Sequence, residues 1–238
     1  MAKDKKQSLS EEIAVSIRNK IYSGDLLAGT HLVEQDIAKE YGVSRGPVRE
    51  ALKELEHAGL VVSEANKGST IAYLTAEDAY EIFYIRGSLE KMALEKCGGR
   101  LPDSSILAMR DIVDNMKYEE EHSDRLQVKI GLDERFHEEI LKASRMKRLY
   151  QLWKNLSPLN GSMFLKLEES YQSQERDAIR NDQERPSKHR KKVWQGHHEI
   201  LEAIEKGDLQ EAIRMTEAHY YNAGTMILRW EIRKENNM

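Results

Sequence analysis

The sequence predicts a mainly α-helical chain in two parts. Three short helices and a β-hairpin come first, up to residue 74, and an all-α antiparallel helical bundle follows over residues 75–238. Three observations predict this. Apolar residues recur at i, i+3, i+4 and i+7 along most of the chain, the period of an amphipathic helix. Turn formers are scarce, with Gly 14 and Pro 4 in 238 residues, so long helices need few breaks. The stretch "LVVSEANKGSTIAYL" leaves the helical period and reads as two short strands around a turn at Asn66, Lys67 and Gly68.

Each element follows from local signals. Ser8 with Glu11 is a capping-box signature, and Ala14, Ile17 and Ile21 then repeat at helical spacing. "SGDLLAG" ends that helix. The second helix carries Val33, Ile37, Ala38 and Tyr41 on one face and closes at Gly42. Ser44 is placed to cap the third, with Val43 and Val48 as a hydrophobic staple and Pro47 in the first turn. Val48, Leu52 and Leu55 make its buried stripe, and Gly59 stops it. After the hairpin, Thr75 with Asp78 is a second capping box. Helices are then expected near 76–98, 103–121, 125–143, 146–176, 187–205 and 208–233, the fourth open to a break at Pro158 and Gly161. The charged run from Arg176 to Lys192 reads as a solvated helix end and connection. The domain boundary falls near residues 73–76.

Composition narrows the setting. Charged residues are 33% and hydrophobic residues 39%, as in a soluble globular chain. A single cysteine, Cys97, permits no internal disulfide and fits a reducing cytoplasm. The start lacks an apolar signal core, and no apolar run approaches the ~18 residues of a membrane span. A cytoplasmic location with no membrane partner is therefore expected. The net charge of −4 excludes a uniformly basic nucleic-acid coat but leaves room for a local basic patch.

Such a patch is visible in "GVSRGPVREAL". Arg45 and Arg49 sit one turn apart at a helix start, where the macrodipole disfavours cations. With Lys53 they form one stripe, opposite the apolar one. Two short helices joined by a Gly turn and followed by a hairpin is the winged helix-turn-helix pattern, whose second helix enters a major groove. Arg suits bidentate contacts with guanine or phosphate, and Ser44 can give a hydroxyl and N–H to a phosphate. Lys67 and Gly68 at the hairpin tip would reach a minor groove or the backbone. Residues 1–73 hold 10 Lys+Arg against 11 Asp+Glu, so affinity must come from placement. The competing reading pairs the arginines with Glu50, Glu54 or solvent.

The second part offers a possible metal site. Asp133 and His137 are i, i+4 in "GLDERFHEEIL", which stacks them on one helix face. At ~100° per residue, His197 falls in the middle of the apolar sector of Val193, Trp194, Ile200, Leu201 and Ile204, and His198 falls at its rim. His219 lies inside a similar cluster of Ala212, Met215, Ala223, Met226, Ile227 and Trp230. Asp133, His137, His197 and His219 make one carboxylate and three imidazoles, a set suited to Zn²⁺, Ni²⁺, Mn²⁺ or Fe²⁺. The alternatives are an Asp–His hydrogen bond and core histidines. Arg86 is anomalous among Ile82, Ile85, Leu89 and Met92. It either pairs with Glu90, snorkels to the surface, or clamps a carboxylate beside the metal.

Two resemblances sharpen these expectations. "GDLLAGTHLVEQDIAKEYGVSRGPVREALKELEHAGLVVSEANKGSTI", Gly24 to Ile71, resembles the DNA-binding domain of the GntR family of bacterial transcription regulators. The resemblance implies that Ser44, Arg45, Arg49 and the Lys67–Gly68 wing tip touch operator DNA. Gly46 falls where a small polar residue is common and Gln35 where some members place an arginine on DNA, departures that bear on operator sequence. The second half, about Ala76 to Ala223, is similar to the FCD ligand-binding domain of the FadR-type subfamily. "YIRGSLEKMALE", "DERFHEEIL" and "HHEILEAIEKGDLQEAIRMTEAH" carry that likeness. Setting Gly207–Asp208 on the family's GD turn makes His197, not His198, the ligand. Such domains bind a divalent metal and a small carboxylate and change DNA affinity in response.

The expectation is thus a metabolite-responsive regulator and not an enzyme. It would act as a repressor and as a homodimer on double-stranded operator DNA, with a small organic-acid effector at Arg86. The alternatives are a helical metalloenzyme, or a regulator whose histidines are structural and bind no metal.

Overall fold

The computed structural model describes residues 8–64, 68–123, 125–180 and 192–236. Its internal contacts divide the chain into two units, Met1–Leu74 and Thr75–Met238.

The first unit runs α1 (Leu9–Tyr22), β1 (His31–Leu32), α2 (Glu34–Glu40), α3 (Arg45–His57), β2 (Val61–Glu64) and β3 (Gly68–Ile71). The capping box of α1 forms in both directions: the Glu11 N–H donates to Ser8 Oγ and the Ser8 N–H to the Glu11 carboxylate. Ile13, Ala14 and Ile17 of α1 are buried, as are Val48, Ala51, Leu52 and Leu55 of α3, and the two stripes pack on each other. Between α2 and α3 the chain turns at Gly42, at φ +64°. There the Val43 N–H reaches the Ala38 carbonyl at 2.9 Å, a Schellman closure. A Cβ at Gly42 would meet nothing, so the left-handed backbone is what asks for glycine.

Two expectations for this unit change. Ser44 sits in the extended cap position before α3, but its side chain makes no cap hydrogen bond. It stays exposed, so the start of α3 has no side-chain acceptor from it. The expected hairpin forms, with Val61 opposite Ile71 and Glu64 opposite Gly68. A third strand, β1, joins it, giving an antiparallel sheet in the order β1–β3–β2 with His31 opposite Thr70. A two-residue strand is too short to show a period-2 pattern. The turn residues Asn66 and Lys67 lie outside the described residues.

The second unit runs α4 (Ala76–Cys97), α5 (Asp103–His122), α6 (Leu126–Ala143), α7 (Lys147–Arg180), α8 (Val193–Lys206) and α9 (Leu209–Asn236). Thr75 and Asp78 form the capping box of α4. The break left open at Pro158 and Gly161 in the fourth long helix does not occur, and α7 continues through Pro158. Trp153 and Met163, both fully buried on either side of Pro158, hold the two halves against the bundle. α8 starts at Val193, and residues 187–191 of the helix expected there lie outside the described residues, as does most of the charged run before it. Met109, Phe136, Ile140, Leu141, Trp153, Ile200 and Ile204 share one core. α4 packs along α9, and α6 lies against α4, α5 and α7. Among the described residues, no helix is long and apolar enough to cross a membrane.

Candidate nucleic-acid interface and candidate metal centre

The first-unit candidates lie on the surface. Arg45, Gly46, Arg49 and Lys53 of α3 are exposed, together with Ser44, Gln35 of α2 and Gly68 at the start of β3. Lys67 lies outside the described residues. Both arginines turn to one acceptor, Glu34 in the first turn of α2. Arg45 donates to it at 2.6 and 2.9 Å, and Arg49 at 2.9 and 3.0 Å. Hydrogen bonds from Arg49 and then Arg45 lower the Glu34 pKa. The partners of the competing reading are engaged elsewhere: Glu54 takes Arg18 at 3.3 Å and Glu50 takes Lys53 at 3.2 Å. One carboxylate thus aligns two guanidinium groups that are more than half exposed. At Gly46 a side chain would meet only Ser44 Oγ, at 3.9 Å, so the face is open there.

The second-unit candidates converge in the interior. α6 supplies Asp133 and His137, α8 supplies His197, and α9 supplies His219. Around Asp133 Oδ1 lie the Nε2 atoms of His197 at 3.1 Å, His137 at 3.7 Å and His219 at 4.0 Å. One ligand atom from each residue lies within 4.8 Å of the others. Donors about 2.1 Å from a tetrahedral ion sit about 3.4 Å apart, so the set is near ligating distance. The far nitrogens are anchored: His197 Nδ1 donates to the Val193 carbonyl at 2.9 Å, and His137 Nδ1 donates to Glu90 Oε2 at 2.7 Å. Both acceptors fix Nδ1 as the protonated nitrogen and aim Nε2 inward. Among the described residues, His137 Nε2 has no hydrogen-bond partner, Asp133 Oδ1 standing 3.7 Å away. Phe136 sets its ring edge-on to His137 and His197, with centroids 5.4 and 4.8 Å away. His198, by contrast, is exposed and lies 3.7 Å from Glu202.

The charges in this centre respond to one another. Burial alone would raise the Asp133 pKa, but His137 and His197 outweigh it and hold the carboxyl well below its usual range. Burial alone would lower the His137 pKa, but the Glu90 and Asp133 carboxylates push it up to about 10. Beside the histidines opens a cavity of about 560 Å³, lined by Asp133, His219, Phe83, Met215 and Met226 among others.

Arg86 is fully buried, so it does not snorkel to the surface, and the alternative pairing with Glu90 does not form. Its Nη2 donates to Glu134 at 3.0 Å, and its guanidinium lies 4.1 Å over the Trp153 ring. Its Nε and Nη1 have no hydrogen-bond partner among the described residues. Burial opposes its charge, while Tyr220, Glu134, Glu90 and Asp133 favour it and raise its pKa. Glu90 is occupied instead by His137, Trp153 and Tyr220. Sequence reasoning missed this role of Glu90. Its one signal was an acidic residue on the core-facing stripe of α4, four positions after Arg86.

Comparison with known proteins agrees with both halves. The family model described as "Bacterial regulatory proteins, gntR family" matches residues 9–71, and that of the "FCD domain" matches residues 81–222. The gluconate operon transcriptional repressor of Bacillus licheniformis is 30% identical over 174 residues, 71% of each chain. Its namesake in Bacillus subtilis (strain 168) is 31% identical over 172 residues, 70% of each chain. Among solved structures, McbR/YncC of E. coli superposes with a TM-score of 0.71 at 21% identity, covering 94% of this chain and 98% of that one. A GntR regulator from Rhodococcus sp. RHA1 gives 0.70 at 23% identity, covering 93% and 98%. At these identities the two structures speak for the fold.

Proposed function

The chain belongs to the gntR family of bacterial regulatory proteins and carries an FCD domain, so it is a DNA-binding transcription regulator and not an enzyme; on that premise we propose that its helical unit holds a divalent metal and senses a small organic acid. The observation that carries the proposal is the convergence of three imidazole Nε2 atoms on Asp133 Oδ1, with the His137 and His197 rings anchored from behind. Asp133, His137, His197 and His219 would hold the ion. Three imidazoles and one carboxylate suit Zn²⁺, Ni²⁺, Mn²⁺ or Fe²⁺ alike. When bound, the metal would supply a positive centre for a carboxylate oxygen at the cavity wall. Arg86, charged and with two donors unengaged among the described residues, is fully buried and not among the residues lining the cavity, so it would bind the other end of an acid that opened a way to it.

On the DNA side, Arg45, Arg49 and Lys53 would face the major groove, with Ser44, Gly46 and Gln35 beside them and Lys67 and Gly68 at the wing. The groups that hold the arginines and those that would hold the metal lie in different units, so the effector must act by shifting a population. An acid that bound both arrangements of the regulator equally would change nothing. One recognition helix reads a half-site, which favours a homodimer on a two-fold symmetric operator. The relatives named repressors favour repression.

Metal analysis of untagged protein tests the site. His197→Ala should cut bound metal from one per chain to a small fraction, while the exposed His198→Ala should leave it unchanged. The reverse pattern would overturn the ligand choice, and metal-free wild-type protein after metal loading would leave the histidines structural.

A further inference from the structure

Glu90 is fully buried and accepts three hydrogen bonds from three other helices. Its Oε2 takes His137 Nδ1 of α6 at 2.7 Å. Its Oε1 takes Trp153 Nε1 of α7 at 3.0 Å and the Tyr220 hydroxyl of α9. A buried carboxylate is costly unless each lone pair has work to do. Its neighbours are specific: His137 is a candidate ligand, Tyr220 follows the ligand His219 in α9, and Trp153 carries the Arg86 guanidinium on its face.

We propose that Glu90 is the positioning residue of the metal centre, holding the proton on His137 Nδ1 so that Nε2 faces Asp133 and gives its lone pair to the ion once its own proton has left. This inference rests on the metal reading above and adds to it a residue that touches neither metal nor effector. The chemistry is that of a carboxylate behind a ligating histidine, which sets the tautomer and ring orientation. The same carboxylate steadies Trp153, so the metal side and the Arg86 side of the site share one anchor.

The asymmetry of the donors makes the proposal testable. Trp153 Nε1–H can only donate, whereas the imidazole can exchange its roles. In Glu90→Gln the amide oxygen must therefore turn to Trp153 and Tyr220, and the amide NH₂ must turn to His137. His137 then accepts at Nδ1 and carries its one proton on Nε2, with every hydrogen bond satisfied and the lone pair lost to the metal. The metal-free fold should melt close to wild type, while Zn²⁺ affinity, read by chelator competition, falls roughly 10- to 100-fold. Nitrogen NMR of the His137 ring in the metal-free variant should show an unprotonated Nδ1. Glu90→Asp keeps the charge but draws it back by about one C–C bond length, so it too should weaken Zn²⁺ binding. If Glu90→Gln does not fold, Glu90→Asp gives the answer.

Wild-type affinity in both variants, or a His137 Nδ1 that stays protonated in Glu90→Gln, overturns the positioning role and leaves the metal site standing. A Glu90→Asp protein with undiminished affinity reduces Glu90 to a charge and also overturns it. Wild-type protein that binds no Zn²⁺ fails the metal reading itself and takes this inference with it.

Discussion

Raising the pH should tighten metal binding about tenfold per unit between pH 7 and 9, because the metal must displace a proton. In the metal-free protein, His137 lies between Glu90 Oε2 at 2.7 Å and Asp133 Oδ1 at 3.7 Å. Against the effect of burial, these carboxylates push its pKa up to about 10, so at neutral pH both ring nitrogens are protonated. Ligation needs the Nε2 lone pair while Nδ1–H stays on Glu90, so one proton leaves. Each pH unit below the pKa then weakens binding tenfold, about 1.4 kcal/mol, and the step from pH 7 to 9 amounts to about a hundredfold. Zn²⁺ competition against a chelator of known pH dependence measures the slope. Calorimetry in two buffers of different protonation enthalpy counts the proton directly.

The metal-free fold should move in the opposite direction. A folded pKa raised above the unfolded 6.5 gives stability that is fully present below 6.5 and is lost as pH rises through about 10. The stripped protein should therefore melt at progressively lower temperature across that window. Affinity that is flat between pH 7 and 9, with no proton released, would refute the arrangement of His137 between two carboxylates.

Two further outcomes are expected. Arg49→Ala removes an exposed side chain, so circular dichroism should not change, while affinity for an operator selected from random sequence falls roughly 10- to 100-fold and the salt slope drops by about one. Equal affinity would sink the α3 assignment. Arg86→Lys loses the planar stack on Trp153 and the fork of donors, so the melting shift produced by the best-binding organic acid should vanish while metal content stays at one per chain. A retained shift would place the acid elsewhere.

Local features were readable in the sequence because their determinants lie within a few residues. The capping boxes at Ser8 and Thr75, the turn at Gly42 and the Asp133–His137 pair all follow from spacings of five or less. Helical periodicity was also enough to separate His197 from His198, since one faces the core and the other faces solvent. What failed was choosing partners. Arg86 was offered its i+4 neighbour Glu90 and takes Glu134 instead. Arg45 and Arg49 were offered Glu50 and Glu54 and take Glu34. In each case a local carboxylate lost to one brought close by helix packing. The three donors on Glu90 come from positions 137, 153 and 220, and no spacing rule links residues on four helices. β1 and the unbroken α7 were hidden for the same reason: pairing with β3 and burial of Trp153 and Met163 decide them, and both are tertiary.

The two ionic centres use the same elementary device, a carboxylate facing cationic groups, and burial gives them opposite properties. Glu34 holds two arginines in solvent, where the effective dielectric is high and salt screens the attraction. A phosphate offers those guanidinium groups the same oxygen fork, so on the proposed reading the Glu34 pairing would be readily exchanged for DNA at small cost in affinity. Glu90 is fully buried and Asp133 nearly so, at the wall of the cavity, and there an uncompensated charge is expensive. Both are stabilised by positive charge nearby. In the metal-free chain that charge includes the extra proton on His137. A divalent ion held there would replace that proton with a larger charge and tie α6, α8 and α9 together through residues separated by up to 86 positions. On the proposed reading the surface centre would let go and the interior one would hold on, the division of labour that a DNA-releasing sensor requires.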